Sequence, residues 1–271
     1  MKKSTGNTPD IHQSISPKPR IAAHFGRKVS HYGKYAIIQQ KLLDNLLPSI
    51  LKYGTPGRPW ADFGCGNGDL EKKLLQNGWY GSMTGIDIAF DSLHFCIKKL
   101  SSETKWCCAD AEQPPFRPAT FEGLVAASMI QWTSRPDLTI TTLASLIEPG
   151  GYFVFSLFTE DAFRELYETR KRHNLPIPAA LYREEMVEPI LHRLELTPLT
   201  IVPFSETVYF SSARELLRHL SSIGSTGTSS RPLTRRNLQK FCDDLENGFG
   251  TDKGVPLTYK ALFGAARKGE G

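Results

Sequence analysis

No run in this chain approaches the ~18 consecutive apolar residues that a membrane-spanning helix needs. No C-x-x-C pair occurs, and the five cysteines are an odd number with Cys107 and Cys108 adjacent. That pattern suits neither a zinc knuckle nor a disulfide framework and points to a reducing compartment. The nucleophile elbow G-x-S-x-G, the P-loop and H-E-x-x-H are all missing. Seven histidines are scattered without metal-ligand spacing, and His24, His31 and His94 read as ordinary surface or satisfied residues. Charge of one sign is also scarce: 33 Lys and Arg against 28 Asp and Glu leave a net +5, thin for a nucleic-acid domain. Basic residues do cluster locally, at Arg164, Arg170, Lys171 and Arg172 and again at Arg231, Arg235, Arg236 and Lys240. Each cluster is either a solvated helix face or a docking surface for an acidic partner. The first twenty residues are polar, carry Pro9, Pro17 and Pro19, and lack the apolar centre of a signal peptide. The expectation is a cytoplasmic monomer without nucleic-acid or membrane partners, with residues 1–24 a disordered tail.

What is present is an α/β alternation. The 271 residues, 40% hydrophobic, suit a single domain over 25–271 with cap elements within about 160–250. The segment from Phe25 to Ile50 reads as helical, with Ile38, Leu42 and Leu46 repeating at i+4, and Pro48 and the Pro56-Gly57 pair should end it. Strands are expected at Pro59–Phe63, at SMTGIDIAF ending near Asp87, at KWCCAD ending at Asp110, at the almost wholly apolar FEGLVAASMI, and after the Pro149-Gly150-Gly151 turn. Helices fall between them, so the reading is a doubly wound, Rossmann-like sheet, mostly parallel. Past Thr159 the rhythm changes. Helices are expected at 161–174, 212–224 and 233–248, a strand pair or bent strand at 199–210, and no clear element over 175–196. The terminal VPLTYKALFGAARK alternates enough to close one edge of the sheet as an antiparallel strand.

Chemistry concentrates in WADFGCGNGDLEKKL. Gly64, Gly66 and Gly68 have the spacing G-x-G-x-G between a strand and a helix, with Asp62 two residues earlier. Glycines let the backbone turn tightly and approach a ligand. A dinucleotide loop uses G-x-G-x-x-G and sets pyrophosphate over the helix start. A carboxylate at Asp62 repels that anion and suits the sulfonium and ammonium of S-adenosylmethionine. Asp87, at the end of the second strand, can accept from both ribose hydroxyls, although an NAD site places an acid similarly. Asp110 can accept from an adenine amino group, with Ala111 leaving room for the ring, or can cap a helix. Cys65 in the loop, Ile88 after Asp87, and Ser128 at the fourth strand's exit complete the expected cofactor contacts. In that exit, Ser128-Met129-Ile130-Gln131-Trp132, there is no Asn or Asp followed by two prolines and an aromatic, so the exocyclic nitrogen of a base is a poor acceptor. Trp132 is either a core or a lid aromatic.

At this point the chain resembles a known family, the malonyl-[acyl carrier protein] O-methyltransferases of biotin synthesis, within the class I S-adenosylmethionine-dependent methyltransferases. DFGCGNG with Asp87 and Asp110 carries only the wider class. The closer likeness rests on FGRKVSHYGKYA, ASMIQW, LLRHLSSIGSTGTSSR and PLTYKALFGAARK, which together span most of the chain from Phe25 onward. Phe63, Asn67 and the turn IEPGG depart from the family's usual residues. The resemblance implies methyl transfer to the free carboxylate of a malonyl thioester. That acceptor is already ionised, so it needs alignment and exclusion of water rather than a general base or a metal. It further implies that Asp62, Gly64, Gly66 and Gly68 hold the methionine part, Asp87 the ribose and Asp110 the adenine. Tyr32 would close over cofactor and acceptor, and Gln131 and Trp132 would line the transfer face. Arg164, Arg214 and Arg218 become docking candidates for the acidic carrier. The alternatives are a class I enzyme acting on a small-molecule carboxylate, hydroxyl or carbon, an NAD-dependent oxidoreductase, and a non-catalytic binding module.

Overall fold

Five short apolar runs, each followed by a helix or a turn, build the parallel part of one sheet. The computed structural model describes residues 18–79, 81–100, 104–175, 181–223 and 233–271, without the side chains of residues 24, 28 and 30–34. The strands are β1 (Pro59–Phe63), β2 (Ser82–Asp87), β3 (Lys105–Cys108), β4 (Phe121–Ala127), β5 (Ile147–Phe158), β6 (Leu196–Phe210) and β7 (Val255–Lys268), and their order is β3-β2-β1-β4-β5-β7-β6. β1 to β5 pair in parallel, and β7 runs antiparallel to both β5 and β6. The helices are α1 (Lys18–Tyr35), α2 (Ile37–Tyr53), α3 (Asp69–Gln76), α4 (Phe90–Lys99), α5 (Pro136–Leu146), α6 (Arg164–Arg172), α7 (Glu184–Arg193), α8 (Ala213–Ser222) and α9 (Arg235–Phe249). The strand order reverses between β1 and β4, which opens a crevice at their carboxyl ends. Among the described residues no helix is long and apolar enough to cross a membrane.

The doubly wound, mostly parallel sheet is as expected, and several details differ. α1 begins at Lys18, inside the stretch expected as tail; the segment up to residue 17 lies outside the described residues. α2 runs through Pro48 to Tyr53, because Leu42, Leu46 and Ile50 bury one continuous stripe that outweighs the single backbone bond proline removes. The Pro149-Gly150-Gly151 segment lies within β5 as a bulge: the pairing moves from Phe121↔Ile147 to Gly123↔Tyr152, so a two-residue step on β4 faces a five-residue step on β5. Residues 184–193, expected without regular structure, form α7, whose Val187, Ile190 and Leu191 are buried although Pro189 lies among them. Residues 196–210 form one strand, and that strand, not β7, takes the sheet edge. β6 alternates exposed and half-buried residues and carries Pro198 and Pro203, which lack an N–H and suit an edge. β7 buries Leu257, Tyr259, Ala261, Leu262, Ala265 and Ala266, as an inner strand should.

The elements expected as a cap pack around one end of β7. Leu166 and Tyr167 of α6, Leu216 and Leu220 of α8, and Phe241 and Leu245 of α9 share a cluster with Phe158, Phe163 and Tyr259. Ser212 caps α8 by accepting from the Glu215 N–H, and Thr234 caps α9 by accepting from the Asn237 N–H. The IGST turn and the Ser/Thr-rich loop after it fall on residues 224–232, outside the described residues.

Candidate active site

β1 delivers Asp62 and Phe63 to the crevice, and the chain then turns through Gly64, Gly66 and Gly68, all with positive φ (79°, 55° and 74°), into α3. Gly64 and Cys65 both donate to the Ile86 carbonyl, at 2.7 and 3.1 Å, which ties the loop to β2. Asp87 ties it again: its Oδ2 accepts from Gly66 N at 2.9 Å and its Oδ1 from Ala89 N at 2.7 Å. Each oxygen keeps a free lone pair, so the carboxylate still has room for a diol.

Asp62 differs. Its side chain lines the cavity, it is 3% exposed, and its Oδ1 has no hydrogen-bond partner. Burial, reinforced by the charge of Asp87, pushes its carboxyl up to about 8. Burial also raises Asp87, against the opposing N–H groups of Ala89 and Gly66. A buried acceptor without a donor, in a cavity, is what a cationic ligand satisfies.

The far end of the cavity is acidic and occupied by a lysine. Asp110 Oδ1 accepts from Glu112 N at 2.9 Å, and its Oδ2 lies 2.5 Å from Lys18 Nζ. The same ammonium is 3.0 Å from Glu112. Burial works against the Lys18 ammonium, but its bonds to Asp110 and Glu112 prevail and its pKa is raised. Ala111 is buried beside them and lines the cavity. Lys18 belongs to α1, which also contributes Ile21, Phe25 and Val29 to the wall; α2 adds Gln39, Gln40 and Leu43. Gln40 and Asn67 both donate to Asp69 Oδ2 at the start of α3. None of these helix residues was expected in the site, although Ile21, Phe25 and Val29 recur at i+4; Lys18 and Ile21 lie in the stretch expected as tail, Phe25 and Val29 in the one expected as helix.

At the exit of β4, Ser128 has φ +53°, a left-handed conformation uncommon outside glycine, and lines the cavity with Met129 and Trp132. Ser156, fully buried on β5, holds that turn: its carbonyl accepts from Ser128 N at 2.9 Å and its hydroxyl lies 3.1 Å from the Ser128 hydroxyl. Trp132 meets Phe25 of α1 edge to face, with ring centroids 5.4 Å apart, so it roofs the cavity as a lid aromatic. Gln131 points the other way. It is 1% exposed, is not among the residues that line the cavity, and donates from Nε2 to Ser128 O at 2.7 Å. Its place is under the turn, because the single 3-10 turn at Ile130–Trp132 carries successive side chains to different sides. Cys65 and Ile88 line the cavity as expected; Gly68 lies in the loop but does not line it. Tyr32 lies in α1, with its side chain outside the described residues. Arg164, Arg214 and Arg218 are exposed on α6 and α8, and none lines the cavity. Arg164 pairs with Glu168 at 3.3 Å, and Arg214 donates to Gln239.

The sequence profile of the family described as "Methyltransferase domain" matches residues 61–155, from within β1 into β5, and so takes in the glycine loop and the strand ends but not α1 and α2. Over those residues the chain is similar to methyltransferase domains. It is 29% identical over 253 residues to the malonyl-[acyl-carrier protein] O-methyltransferase of Haemophilus influenzae, an alignment covering 92% of this chain and 94% of that one. It is 27% identical over 261 residues to the protein of the same name from Bacteroides fragilis, covering 94% of this chain and 51% of that one. The chain thus spans about half the length of the first curated relatives it matches. Among solved structures, the YcgJ protein of Bacillus subtilis superposes with a TM-score of 0.60 at 15% identity, over 84% of this chain and all of that one. The S-adenosylmethionine expected from the sequence fits the residues present: a buried acid with an unpartnered oxygen for its cationic end, a glycine cradle, and acids at the next two strand ends.

Proposed function

We propose that this methyltransferase transfers the methyl group of S-adenosylmethionine to the free carboxylate of malonyl-acyl carrier protein, giving the methyl ester that primes pimeloyl synthesis for biotin. The observation that carries the reading is the buried Asp62 carboxyl, with Oδ1 unpartnered, in a cavity that the glycine loop and the ends of β1, β2 and β4 line together with α1 and α2. The substrate is supported by relatives of that name aligned over more than nine-tenths of the chain. Bound S-adenosylmethionine supplies a methyl group activated by a cationic sulfur. The chain's own residues bind, orient and exclude water. Asp62 holds the cationic end, Asp87 the ribose diol, and Asp110 with Ala111 the adenine. Phe25, Met129 and Trp132 keep the transfer region apolar, which favours bringing an anion and a cation together. By the family resemblance, Tyr32 of α1 is the residue that would close over cofactor and acceptor. Gln131 acts through Ser128, positioning the turn rather than touching substrate. Arg214 and Arg218 on α8, with Arg164 on α6, are the candidates for docking an acidic carrier protein.

Two substitutions test the cofactor assignments. Asp87→Ala removes acceptors from two loop N–H groups and from the ribose. It is expected to cost about 1–3 kcal/mol of stability and to weaken cofactor binding by about tenfold or more, read by melting and by calorimetric titration. Unchanged affinity would reduce Asp87 to a loop brace. Lys18→Ala breaks a partly exposed ion pair, so less than about 1 kcal/mol of stability is expected to go. Because α1 is then fastened less firmly, cofactor dissociation measured by stopped flow should quicken several-fold. An unaltered dissociation rate would mean that α1 does not move during release.

The reaction itself is tested with methyl-labelled S-adenosylmethionine and malonyl-acyl carrier protein. Label on the precipitated carrier that mild alkali releases as methanol is the expected result, because a methyl ester is base-labile. Label that resists alkali would mean transfer to nitrogen or carbon.

A further inference from the structure

The inner half of β5 reads Phe153-Val154-Phe155-Ser156-Leu157-Phe158, a run of buried residues with one polar side chain. We infer that Ser156 is a positioning residue for methyl transfer: through Ser128 it holds the exit of β4 in the form that shapes the transfer region of the cavity. The inference rests on the methyl-transfer reading given above and adds to it a residue that acts only through its neighbour.

Ser128 needs holding. Its φ of +53° disfavours any residue with a Cβ. All three of its polar groups are engaged, and Ser156 supplies two of the partners. The Ser156 carbonyl accepts from Ser128 N at 2.9 Å, the two hydroxyls lie 3.1 Å apart, and Gln131 donates to the Ser128 carbonyl. Any residue at 156 would supply the carbonyl; only the second contact requires a hydroxyl. A hydroxyl in an apolar strand costs stability unless it is paired. Among the described residues, the Ser128 hydroxyl is the one partner that the Ser156 side chain has. Its ladder neighbours, Ala127 on β4 and Phe263 on β7, have no polar side chain to offer. The polar group at 156 therefore serves the turn rather than the sheet.

That turn fixes two walls of the transfer region. Met129 follows Ser128 directly, and its Cβ stands 2.6 Å from where a Cβ on Gly64 would lie. Trp132 closes the same turn by donating its N–H to Met129 O at 3.0 Å, and its ring meets Phe25 of α1. Relaxation of Ser128 to negative φ would rotate the peptide leading into Met129 and displace both side chains. Asp87 and Asp110 reach the cavity from the ends of β2 and β3, so the ribose and adenine contacts stay in place. The expected loss is in turnover, since a misplacement of about 1 Å can slow a reaction by about a hundredfold.

Ser156→Ala is expected to lower kcat on malonyl-acyl carrier protein by about tenfold and the melting temperature by less than about 5 °C. The Kd for S-adenosylmethionine should not change. Ser128→Gly removes the strain, because glycine takes positive φ freely; in that background Ser156→Ala should cost no further turnover. A second readout does not involve the acceptor. In protein labelled with 5-fluorotryptophan, the 19F resonance lost in Trp132→Phe identifies Trp132. That resonance should shift or broaden in Ser156→Ala, and the double variant should match Ser128→Gly alone. An unshifted resonance or an undiminished kcat in Ser156→Ala would overturn the proposal, as would an equal loss of turnover in both backgrounds. A malonyl carrier that is not methylated at all would instead overturn the acceptor reading, and the resonance would still decide the role of Ser156.

Discussion

Asp62→Asn is expected to weaken S-adenosylmethionine binding by about ten- to a hundredfold, the worth of one charge-assisted hydrogen bond of ~1.5–3 kcal/mol in a buried site. The substitution keeps the shape and removes only the charge. It should also abolish a pH dependence that the native protein shows. Without ligand, Asp62 titrates at about 8, so near neutrality it holds a proton that a cationic ligand must displace. Affinity should therefore rise by about tenfold per pH unit below 8 and level off above it. Stability of the ligand-free protein moves the opposite way. A carboxyl raised in the folded state favours folding while protonated, so that contribution is full at acid pH and is lost as pH climbs through about 8. In Asp62→Asn, calorimetric titrations across pH 6–9 should be nearly flat. A slope as steep as in the native protein would mean that another group binds the cation.

Gly64→Ala should have the largest effect on the fold near the site. Gly64 has φ +79°, and a Cβ built there would sit 2.6 Å from the Cβ of Met129. A left-handed non-glycine residue costs about 1–2 kcal/mol, and the collision adds about 1–3 kcal/mol, since Met129 is fixed by its own backbone. A loss of about 2–5 kcal/mol corresponds to a melting temperature lower by about 5–15 °C. Cofactor binding should fall with it, because Gly64 and Cys65 both hang from the Ile86 carbonyl. A variant that melts and binds like the parent would show that the loop has room the packing does not suggest.

Much of this site is legible in the amino-acid sequence, and the reason is local. β1 and α3 start and stop where the residues say, because glycines, a strand of apolar residues and an acid each act on their immediate neighbours. Asp62 and Asp87 reach the crevice by strand register alone, and Ser128 does so by the exit of β4. What failed to show depends on contacts distant in sequence. The helix expected from Phe25 starts earlier, at Lys18, because the polar, proline-bearing start hid its first turns, yet Lys18 finds Asp110 and Phe25 finds Trp132 across the chain. Pro48 reads as a stop and the proline-bearing 175–196 as without a clear element, and burial of Leu46, Ile50, Ile190 and Leu191 carries α2 through Pro48 and α7 through Pro189. Which of the adjacent Gln131 and Trp132 lines the cavity is decided by one short 3-10 turn, which residue order alone does not give.

The central claim is that the free carboxylate of a malonyl carrier accepts the methyl group. Intact-protein mass spectrometry of malonyl-acyl carrier protein, incubated with this enzyme and S-adenosylmethionine beside acetyl-acyl carrier protein and malonyl-coenzyme A, tests it most directly. The account predicts a gain of one methyl group on the malonyl carrier and none on the acetyl carrier, which lacks a free carboxylate. An unmodified malonyl carrier, in a sample where cofactor binding is demonstrated, would contradict it and send the acceptor search to small molecules.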